Sequence, residues 1–357
     1  MMKRVLSLVM GAALAFGLSA CGGGQAAPAK DSQGASQSQS ASASASASQS
    51  GEGQQASSPA SQQPKQGVHK IGVLAPQVTH GWTAALAYHA EKRCKALAEE
   101  GKIEYKVLAS GNAAEMTAQL DELRNWGVEA IVVFPQWEGM EVPIQEAVKA
   151  GVKVVNFDLE INVDGIYRVA GDNYDMGYQG AKYIVDKIGP KGKVVILDVP
   201  SSGSVARLRK EGFLTRLKEI APEMETVEYA TKFSREAGLN DMADILTANP
   251  HVDAVYSMDD ETSIGALQAI RDAGRSDIKV LTGGGGSQGW FQLMKDEKNK
   301  DIWLQSALYS PAMVEDAVEL AVQILNGQEP KDKSTIIPTT IVDRENVDKY
   351  LDANSPY

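Results

Sequence analysis

From Val68 onward the chain alternates short, almost uninterrupted apolar runs with longer amphipathic stretches, and that alternation dictates its fold class. Ile71-Gly72-Val73-Leu74 is followed by a helical stretch from Ala84 to Glu100, then by Tyr105–Leu108 and a helix over Ala113–Trp126. Ala130–Phe134, a helix ending near Ala150, and Val154–Phe157 continue the series. The theme resumes with Val194–Leu197, Val227–Tyr229, Ala254–Tyr256 and Val280–Leu281, separated by helices around Arg207–Ile220, Glu236–Ala248 and Ser263–Ala273. Strands without a polar face need cover on both sides, as in parallel sheets whose strands are joined through helices. Two sets of such units, each of ordinary domain size, predict an α/β architecture of two doubly wound parallel-sheet lobes rather than one long sheet. In open sheets of this kind ligands sit beyond the carboxyl ends of the strands, so the loops that follow each strand are the place to look for function.

Ahead of this region the composition changes character. Lys3 and Arg4 precede an apolar run from Val5 to Leu18, too short to cross a bilayer with comfort, and small residues follow: a secretory signal. The run ends in Leu18-Ser19-Ala20-Cys21, which resembles the lipobox of bacterial lipoproteins. That resemblance implies a signal peptide over 1–20, cleavage before Cys21, and diacylation of its thiol. The mature protein would then be lipid-anchored to the cell membrane on its extracytoplasmic side. From Gly22 to Gln66 the chain is nearly all Ser, Gln, Ala, Gly and Pro, including Ser40 to Ala47. Such a composition cannot bury enough apolar surface to offset chain entropy, so 21–66 is expected to be a disordered leash. As a flexible coil it would reach about 35–40 Å root-mean-square.

The formal net charge is −11, and loss of Lys3 and Arg4 with the signal makes it two units more negative. An acidic domain is poorly suited to holding phosphate backbones, and no nucleic-acid partner is expected. Of the two cysteines Cys21 is committed, so Cys94 has no intrachain partner. Its Ala- and Leu-rich helical surroundings make it a packed small residue rather than a reactive thiol.

The strand-end loops hold the chemistry. They are Pro76 to Trp82, Pro135-Gln136-Trp137-Glu138, Asp158-Leu159-Glu160, Pro200 to Ser204, Met258-Asp259-Asp260-Glu261 and Thr282 to Trp290. Aromatic faces stack on the C–H faces of sugar rings, while carboxylates, amides and arginine fork hydroxyls at fixed directions. A cleft with aromatic walls and a few convergent polar groups is the usual small-molecule site. Each tryptophan reads equally as a cleft wall or as a packed core or hinge residue, and the cleft pair is either Trp82 with Trp137 or Trp82 with Trp290. Gly283 to Gly286 lack the Lys-Ser/Thr that follows a phosphate loop and read as a tight strand–helix turn. His69, His80, His89 and His251 form no metal-binding pair, His89 reads as a solvated or packed helix residue, and Asp259-Asp260-Glu261 lacks calcium-loop spacing. No metal and no cofactor is expected. Asp158 and Asp259 also admit a second reading, as the acid/base pair of a glycoside hydrolase.

Several segments stand in a specific order: Ile71-Gly72-Val73, Gly171-Asp172-Asn173 with Gly177, and Arg209-Lys210-Glu211-Gly212-Phe213. Thr247-Ala248-Asn249-Pro250, Ala254-Val255-Tyr256, Asp260-Glu261 and Gly265-Ala266-Leu267 follow. With this order and spacing, from Lys70 to the end, the chain resembles type I periplasmic binding proteins, the ribose/galactose-type solute receptors of ATP-binding-cassette importers. The resemblance implies a Venus-flytrap of two lobes joined by three crossover segments and closing on a ligand. An N-terminal lobe of 67–171 plus 310–336 and a C-terminal lobe of 172–309 plus 337–357 are expected. It further implies that Trp82 stacks on the ligand, His80 makes a polar first-loop contact, Asp158 binds hydroxyls, Arg209 bridges ring oxygens and Phe233 is the second-lobe aromatic. Asp259 stands where ribose-type receptors usually have asparagine. Leu159 replaces a second arginine, Gly283 and Gly284 replace an aromatic–aspartate pair, and Tyr309 falls near a usual glutamine. These departures argue against ribose itself and leave an acidic pocket, suited to a neutral polyol-rich or a cationic ligand rather than a sugar phosphate. The expected ligand set is His80, Trp82, Trp137, Asp158, Glu160, Arg209, Phe233, Asp259, Gly284 and Tyr309, with no catalytic residue. Expected partners are a sugar or polyol-like small molecule, the permease and ATPase subunits of an importer, and the membrane through Cys21, with the protein itself monomeric. The rival readings are a sensing receptor for a chemoreceptor or sensor kinase, and a lipoprotein hydrolase. A transcription regulator of the same fold is excluded, because an export signal stands where its DNA-binding helices would be.

Overall fold

The computed structural model describes residues 67–78 and 81–357; the expected signal and leash, with Cys21, and the expected contact His80 lie outside the described residues. The first half of the chain runs β1 (His69–Pro76), α1 (Gly81–Glu99), β2 (Ile103–Ser110), α2 (Ala113–Trp126), β3 (Ala130–Val133), α3 (Glu141–Lys149), β4 (Lys153–Phe157) and β5 (Tyr167–Gly171). It then crosses to α4 (Asn173–Ile188), β6 (Lys191–Asp198), α5 (Ser204–Ile220), β7 (Glu223–Ala230), α6 (Arg235–Ala248) and β8 (Ala254–Ser257). The remaining elements are α7 (Asp260–Asp272), β9 (Val280–Gly284), α8 (Gln288–Lys295), β10 (Trp303–Leu308), α9 (Met313–Leu325), β11 (Ser334–Ile337) and β12 (Thr340–Asp343).

Two six-stranded sheets result, ordered β11-β5-β4-β3-β1-β2 and β12-β10-β9-β8-β6-β7. The first is parallel throughout, with β1 between β3 and the edge strand β2: Val73 pairs with Val107 on one side and Val132 on the other. The second is parallel except for β12, which pairs antiparallel with β10. The two-lobed doubly wound architecture is therefore as the apolar pattern demands, with one strand reversed. The reversal follows from where the chain crosses. All three crossovers leave a sheet at the carboxyl ends of its strands, after β5, β10 and β11. Two of them enter a helix first, α4 or α9, which carries the chain back so that the next strand runs parallel. The third spans only Pro338 and Thr339, too short for a helix, and β12 must run against its neighbours.

Each sheet is covered on both faces. Helices α1 and α9 bury one face of the first sheet, α2 and α3 the other. Helices α6, α7 and α8 cover one face of the second sheet, α4 and α5 the other. Trp290 lies within α8, fully buried in the second lobe's core, its Nε1 donating to the carbonyl of Gln305 at 3.0 Å. It belongs to the core and not to a cleft. Cys94 is likewise buried on α1, and burial pushes its thiol up to about 12, far from thiolate chemistry at neutral pH. Among the described residues no helix is long and apolar enough to cross a membrane.

Glycines set how closely α4 and α5 pack. A Cβ on Gly177 would stand 1.8 Å from the carbonyl oxygen of Arg209, and one on Gly212 would stand 2.0 Å from that of Tyr174. Gly238 and Gly265 repeat the device between α6 and α7, at 2.1 and 2.0 Å from backbone oxygens. The two helix backbones touch directly, so any side chain here must drive them apart. Gly177→Ala is expected to cost about 3 kcal/mol, the upper end of overpacking penalties. Urea unfolding would register a lower midpoint at unchanged m-value; an unchanged midpoint would mean that the helices separate freely.

Candidate functional site

A cavity of about 450 Å³ lies where the carboxyl ends of the two sheets face each other. From the first lobe it is lined by Trp82, Phe134, Trp137 and Asp158, and from the second by Ser201 to Ser204, Arg209, Phe233, Asp259 and Gly284. Tyr309, in the second crossover, and Tyr357 complete the wall.

The aromatic side is built on Trp82, the second residue of α1. Its Nε1 donates to the carbonyl of Tyr309 at 2.8 Å, which fixes the plane of the indole. Phe157 lies nearly parallel to it, with ring centres 6.2 Å apart and 13° between planes; Phe134 and Tyr309 stand tilted at 6.1 Å. The indole is thus packed among three rings, two of which also line the cavity, and is 8% exposed.

The polar side begins at Asp158, just after β4. Its φ of 68° is the left-handed region, uncommon for a residue with a side chain. The backbone is pinned there: its N–H donates to Val169 at 2.9 Å and its carbonyl accepts from Arg168 Nη2 at 2.9 Å. That conformation turns the carboxylate toward Tyr309, whose hydroxyl donates to Oδ1. The same hydroxyl accepts from Asn173 Nδ2 at 3.3 Å, and Asn173 Oδ1 accepts from Arg209 Nε at 2.8 Å. Arg209 Nη1 donates to the carbonyl of Met258 at 2.7 Å, and the guanidinium carbon lies 4.9 Å from the Tyr309 ring centre and 6.0 Å from that of Phe233. Asp158–Tyr309–Asn173–Arg209 is therefore one continuous chain from the first lobe, through two crossovers, to α5 of the second. Burial pushes the Asp158 carboxyl upward, opposed by the Tyr309 hydroxyl and the Arg209 and Arg168 charges.

Other predicted residues sit differently from expectation. Asp259 lines the cavity but is also the N-cap of α7, its Oδ1 accepting from the Thr262 N–H at 2.7 Å and the Thr262 hydroxyl at 2.9 Å. Helix α7 starts at Asp260, so what the sequence presents as an acidic loop is a cap and a first turn. Asp260 accepts from the N–H groups of Gly286 and Ser287, both at 2.8 Å, and from the Ser306 hydroxyl at 2.9 Å. The four-glycine turn is thus fastened by a buried aspartate. Glu160 lines the cavity as expected but is exposed, and its carboxylate is held by Arg168 at 3.2 Å and Arg207 at 3.5 Å. Its backbone N–H donates to the Ser204 hydroxyl at 3.3 Å, so the two lobes touch at this rim. Gly284 contributes backbone only; a Cβ there would meet Met176 Cε at 2.7 Å and the Met258 carbonyl at 2.8 Å. Between the two tryptophan pairs left open by the sequence, Trp82 with Trp137 lines the cavity. Phe134, Asn173, Ser201 to Ser204 and Tyr357 were not among the expected ligand residues. Phe134 was legible as the residue ending an apolar run; Tyr357 carries no local signal. Among the described residues no cluster of His, Cys, Asp and Glu could hold a metal ion.

A family model described as a periplasmic binding protein domain matches residues 71–329. The ribose import binding protein of Bacillus subtilis is 28% identical over 263 residues, covering 72% of this chain and 82% of the relative. A solute-binding protein from Actinobacillus succinogenes with bound D-allose superposes with a TM-score of 0.70 at 23% identity, covering 79% of this chain and all of that one. One from Mycobacterium smegmatis with bound glycerol gives 0.71 at 24% identity, covering 81% and 99%. At those identities the two structures speak for a shared fold.

The buried acids have a measurable consequence. Burial is the largest influence on both, pushing Asp259 from 3.8 up to about 6 and Asp260 from 3.8 up to about 7. Between pH 4 and 7 these two carboxyls therefore hold more protons in the folded protein than in the unfolded chain, and the stability they contribute falls as pH rises through that window. The urea midpoint is expected to be higher at pH 5 than at pH 7.5, and Asp260→Asn should flatten the dependence. A midpoint that rises over this range would contradict the assignment.

Proposed function

Because the chain belongs to the periplasmic binding protein family, we propose that it is an extracytoplasmic receptor that captures a sugar or polyol-like small molecule for an ATP-binding-cassette importer. The observation that carries this reading is the pairing, across one cavity, of an aromatic wall with a hydrogen-bond chain that spans both lobes. A sugar or polyol presents apolar C–H faces to Trp82 and hydroxyls to Asp158 and Arg209, which is the complementarity the cavity offers. The import of ribose by a relative, and the D-allose and glycerol held by two structural neighbours, point to the same ligand class.

Capture works by population shift. The lobes are 67–171 with 310–336 and 172–309 with 337–357, and only when they close can a ligand touch Trp82 and Asp158 on one side and Arg209 and Phe233 on the other. Binding energy therefore favours the shut form, which a permease can distinguish from the open one. Trp82, Trp137, Asp158, Arg209, Phe233 and Tyr309 form the contact surface, with His80 added from the first loop. Glu160 acts at the rim, joining lobes through Arg207 and Ser204. Cys21 is the lipid attachment point, and the leash that follows it keeps a monomeric receptor near its membrane partner, raising its effective concentration there. The hydrolase reading is the weaker one: Asp259 Oδ1 caps α7, Asp158 Oδ1 accepts from the Tyr309 hydroxyl, and the curated relatives are binding proteins.

Isothermal titration with D-ribose, D-allose, D-xylose, xylitol, glycerol and myo-inositol tests the proposal, with small-angle scattering for closure. At least one of them is expected to bind and to compact the protein. Trp82→Ala and Asp158→Asn should each weaken that binding by about a hundredfold, the equivalent of about 2.7 kcal/mol. If no member of the panel both binds and compacts the protein, the capture reading is wrong.

A further inference from the structure

Tyr357 occupies a place that the capture reading leaves without a role. The segment carrying it is fastened to the second lobe. Gln288 Nε2 donates to the Tyr350 carbonyl at 3.0 Å, and Gln288 Oε1 accepts from the Asp352 N–H at 2.9 Å. Tyr350 and Leu351 pack on that lobe's core. The ring of Tyr357 nevertheless belongs to the apolar cluster of the first lobe, together with Trp82, Phe157 and Tyr309. Glycines on both sides make room for it. A Cβ on Gly81, the first residue of α1, would stand 3.0 Å from the ring, and one on Gly285, after β9, would stand 2.5 Å from its hydroxyl. The phenol is thus wedged between the lobes at the back of the cleft.

Its hydroxyl meets no protein partner, although the residue is only 6% exposed. Burial and the neighbouring Asp259, Asp260 and Glu261 charges keep the phenol protonated, so it is a donor without an acceptor. Of the nearby carboxylates, Asp259 Oδ1 is taken by Thr262, Asp260 Oδ2 by the glycine turn and both Glu261 oxygens by Arg235, while Asp260 Oδ1 is buried without a partner and makes no bond to the phenol. A buried donor with no partner carries the full cost of its desolvation. Gly81 belongs to the first lobe and meets the ring at Cδ2 and Cε2, so withdrawing it with that lobe uncovers this edge of the ring, while the segment stays with the second lobe.

We propose that Tyr357 is a built-in opposition to lobe closure: shutting the cleft strips its hydroxyl of water and supplies no partner, so the ligand's contacts must overcome that loss. The consequence is a receptor that rests open and shuts on cargo, which a transporter reading the shut form requires. Its effect on affinity rests on the capture reading; its effect on the lobe equilibrium does not.

The test is Tyr357→Phe, which keeps the ring and deletes the hydroxyl. Single-molecule energy transfer between dyes on Val142→Cys and Lys191→Cys, one on each lobe, reads the shut fraction in the absence of ligand. The odds of the shut form are expected to rise about tenfold, the equivalent of about 1.4 kcal/mol. The affinity for whichever member of the sugar and polyol panel binds the parent protein should tighten by the same factor, because apparent affinity scales with the competent fraction. The thermal midpoint should not fall. An unchanged shut fraction overturns the proposal, and so does weaker ligand binding, which would make the hydroxyl a ligand contact. If the parent protein binds none of the panel, the capture reading fails while the energy-transfer comparison still decides the closure penalty.

Discussion

The hydrogen-bond chain Asp158–Tyr309–Asn173–Arg209 is the feature on which the rest of the site depends. It begins after a strand of the first sheet, passes through two crossover segments, and ends on a helix of the second. Each link consumes a donor or acceptor that would otherwise face the cavity, so the chain fixes which polar atoms remain for a ligand. Arg209 gives Nε to Asn173 and Nη1 to the Met258 carbonyl, leaving one end of its fork. The arrangement also makes the hinge and the binding surface the same object. Tyr309 cannot move without disturbing Asp158, and its backbone carbonyl holds the Trp82 indole. A crossover that flexes as the lobes move must therefore carry the aromatic wall and the acid together.

Helix packing in the second lobe serves that chain. The direct backbone contact of α4 and α5 through Gly177 and Gly212 puts Asn173, at the start of α4, beside Arg209 on α5. The Tyr256 hydroxyl donates to the Arg209 carbonyl at 3.2 Å, and its ring stacks on Phe213 with centres 3.8 Å apart. Two glycines and a stacked ring pair thus set the position of a guanidinium. Asn173 and Arg209 sit on different helices, and only this close approach brings them within 2.8 Å.

Much of this was legible in the sequence, and the reasons for the remainder are specific. The apolar runs of β1, β3, β6 and β8 announce buried parallel strands because a strand covered on both faces has no polar side to blur the signal. Strand β7, at a sheet edge, alternates exposed and half-buried residues and shows only its middle as an apolar run. β5 reads Tyr-Arg-Val-Ala-Gly, too short and mixed to stand out. The loops after strands supplied Trp82, Trp137 and Asp158, which topology alone brings together, while Arg209 and Phe233 came from the family resemblance; all five line the cavity. Where each side chain then points was not legible. Trp290 follows the same strand as Gly284 but lies a few residues into α8, on the face turned to the core. Helix α7 starts three residues earlier than its apolar pattern suggests, which turns Asp259 from a free loop acid into a cap. Glu160 is placed correctly in the chain, but the arginines that occupy it come from β5 and α5, a non-local pairing that no local pattern encodes.

The placement of acids at the start of α7 limits what the cleft can hold. Asp259, Asp260 and Glu261 occupy successive positions where the exposed N–H groups of a helix favour negative charge. Backbone and hydroxyl donors hold one oxygen of each of the first two, leaving Asp260 Oδ1 buried without a partner, and Arg235 pairs with the third through both oxygens at 2.7 and 3.0 Å. This is enough to hold the carboxyls in place but not to keep two of them fully ionised, as their upward shifts to about 6 and about 7 record. With Asp158 on the opposite side, the one cation lining the cavity among the described residues is Arg209, and two of its nitrogens are already engaged. A phosphate brought into this space would lose its water against buried acids and gain at most one partial fork in return, an exchange that low dielectric makes worse. A hydroxylated ring loses far less on entry and finds the aromatic wall waiting. The unfavourable exchange for a phosphate follows from how the helix is capped rather than from any contact made with a ligand.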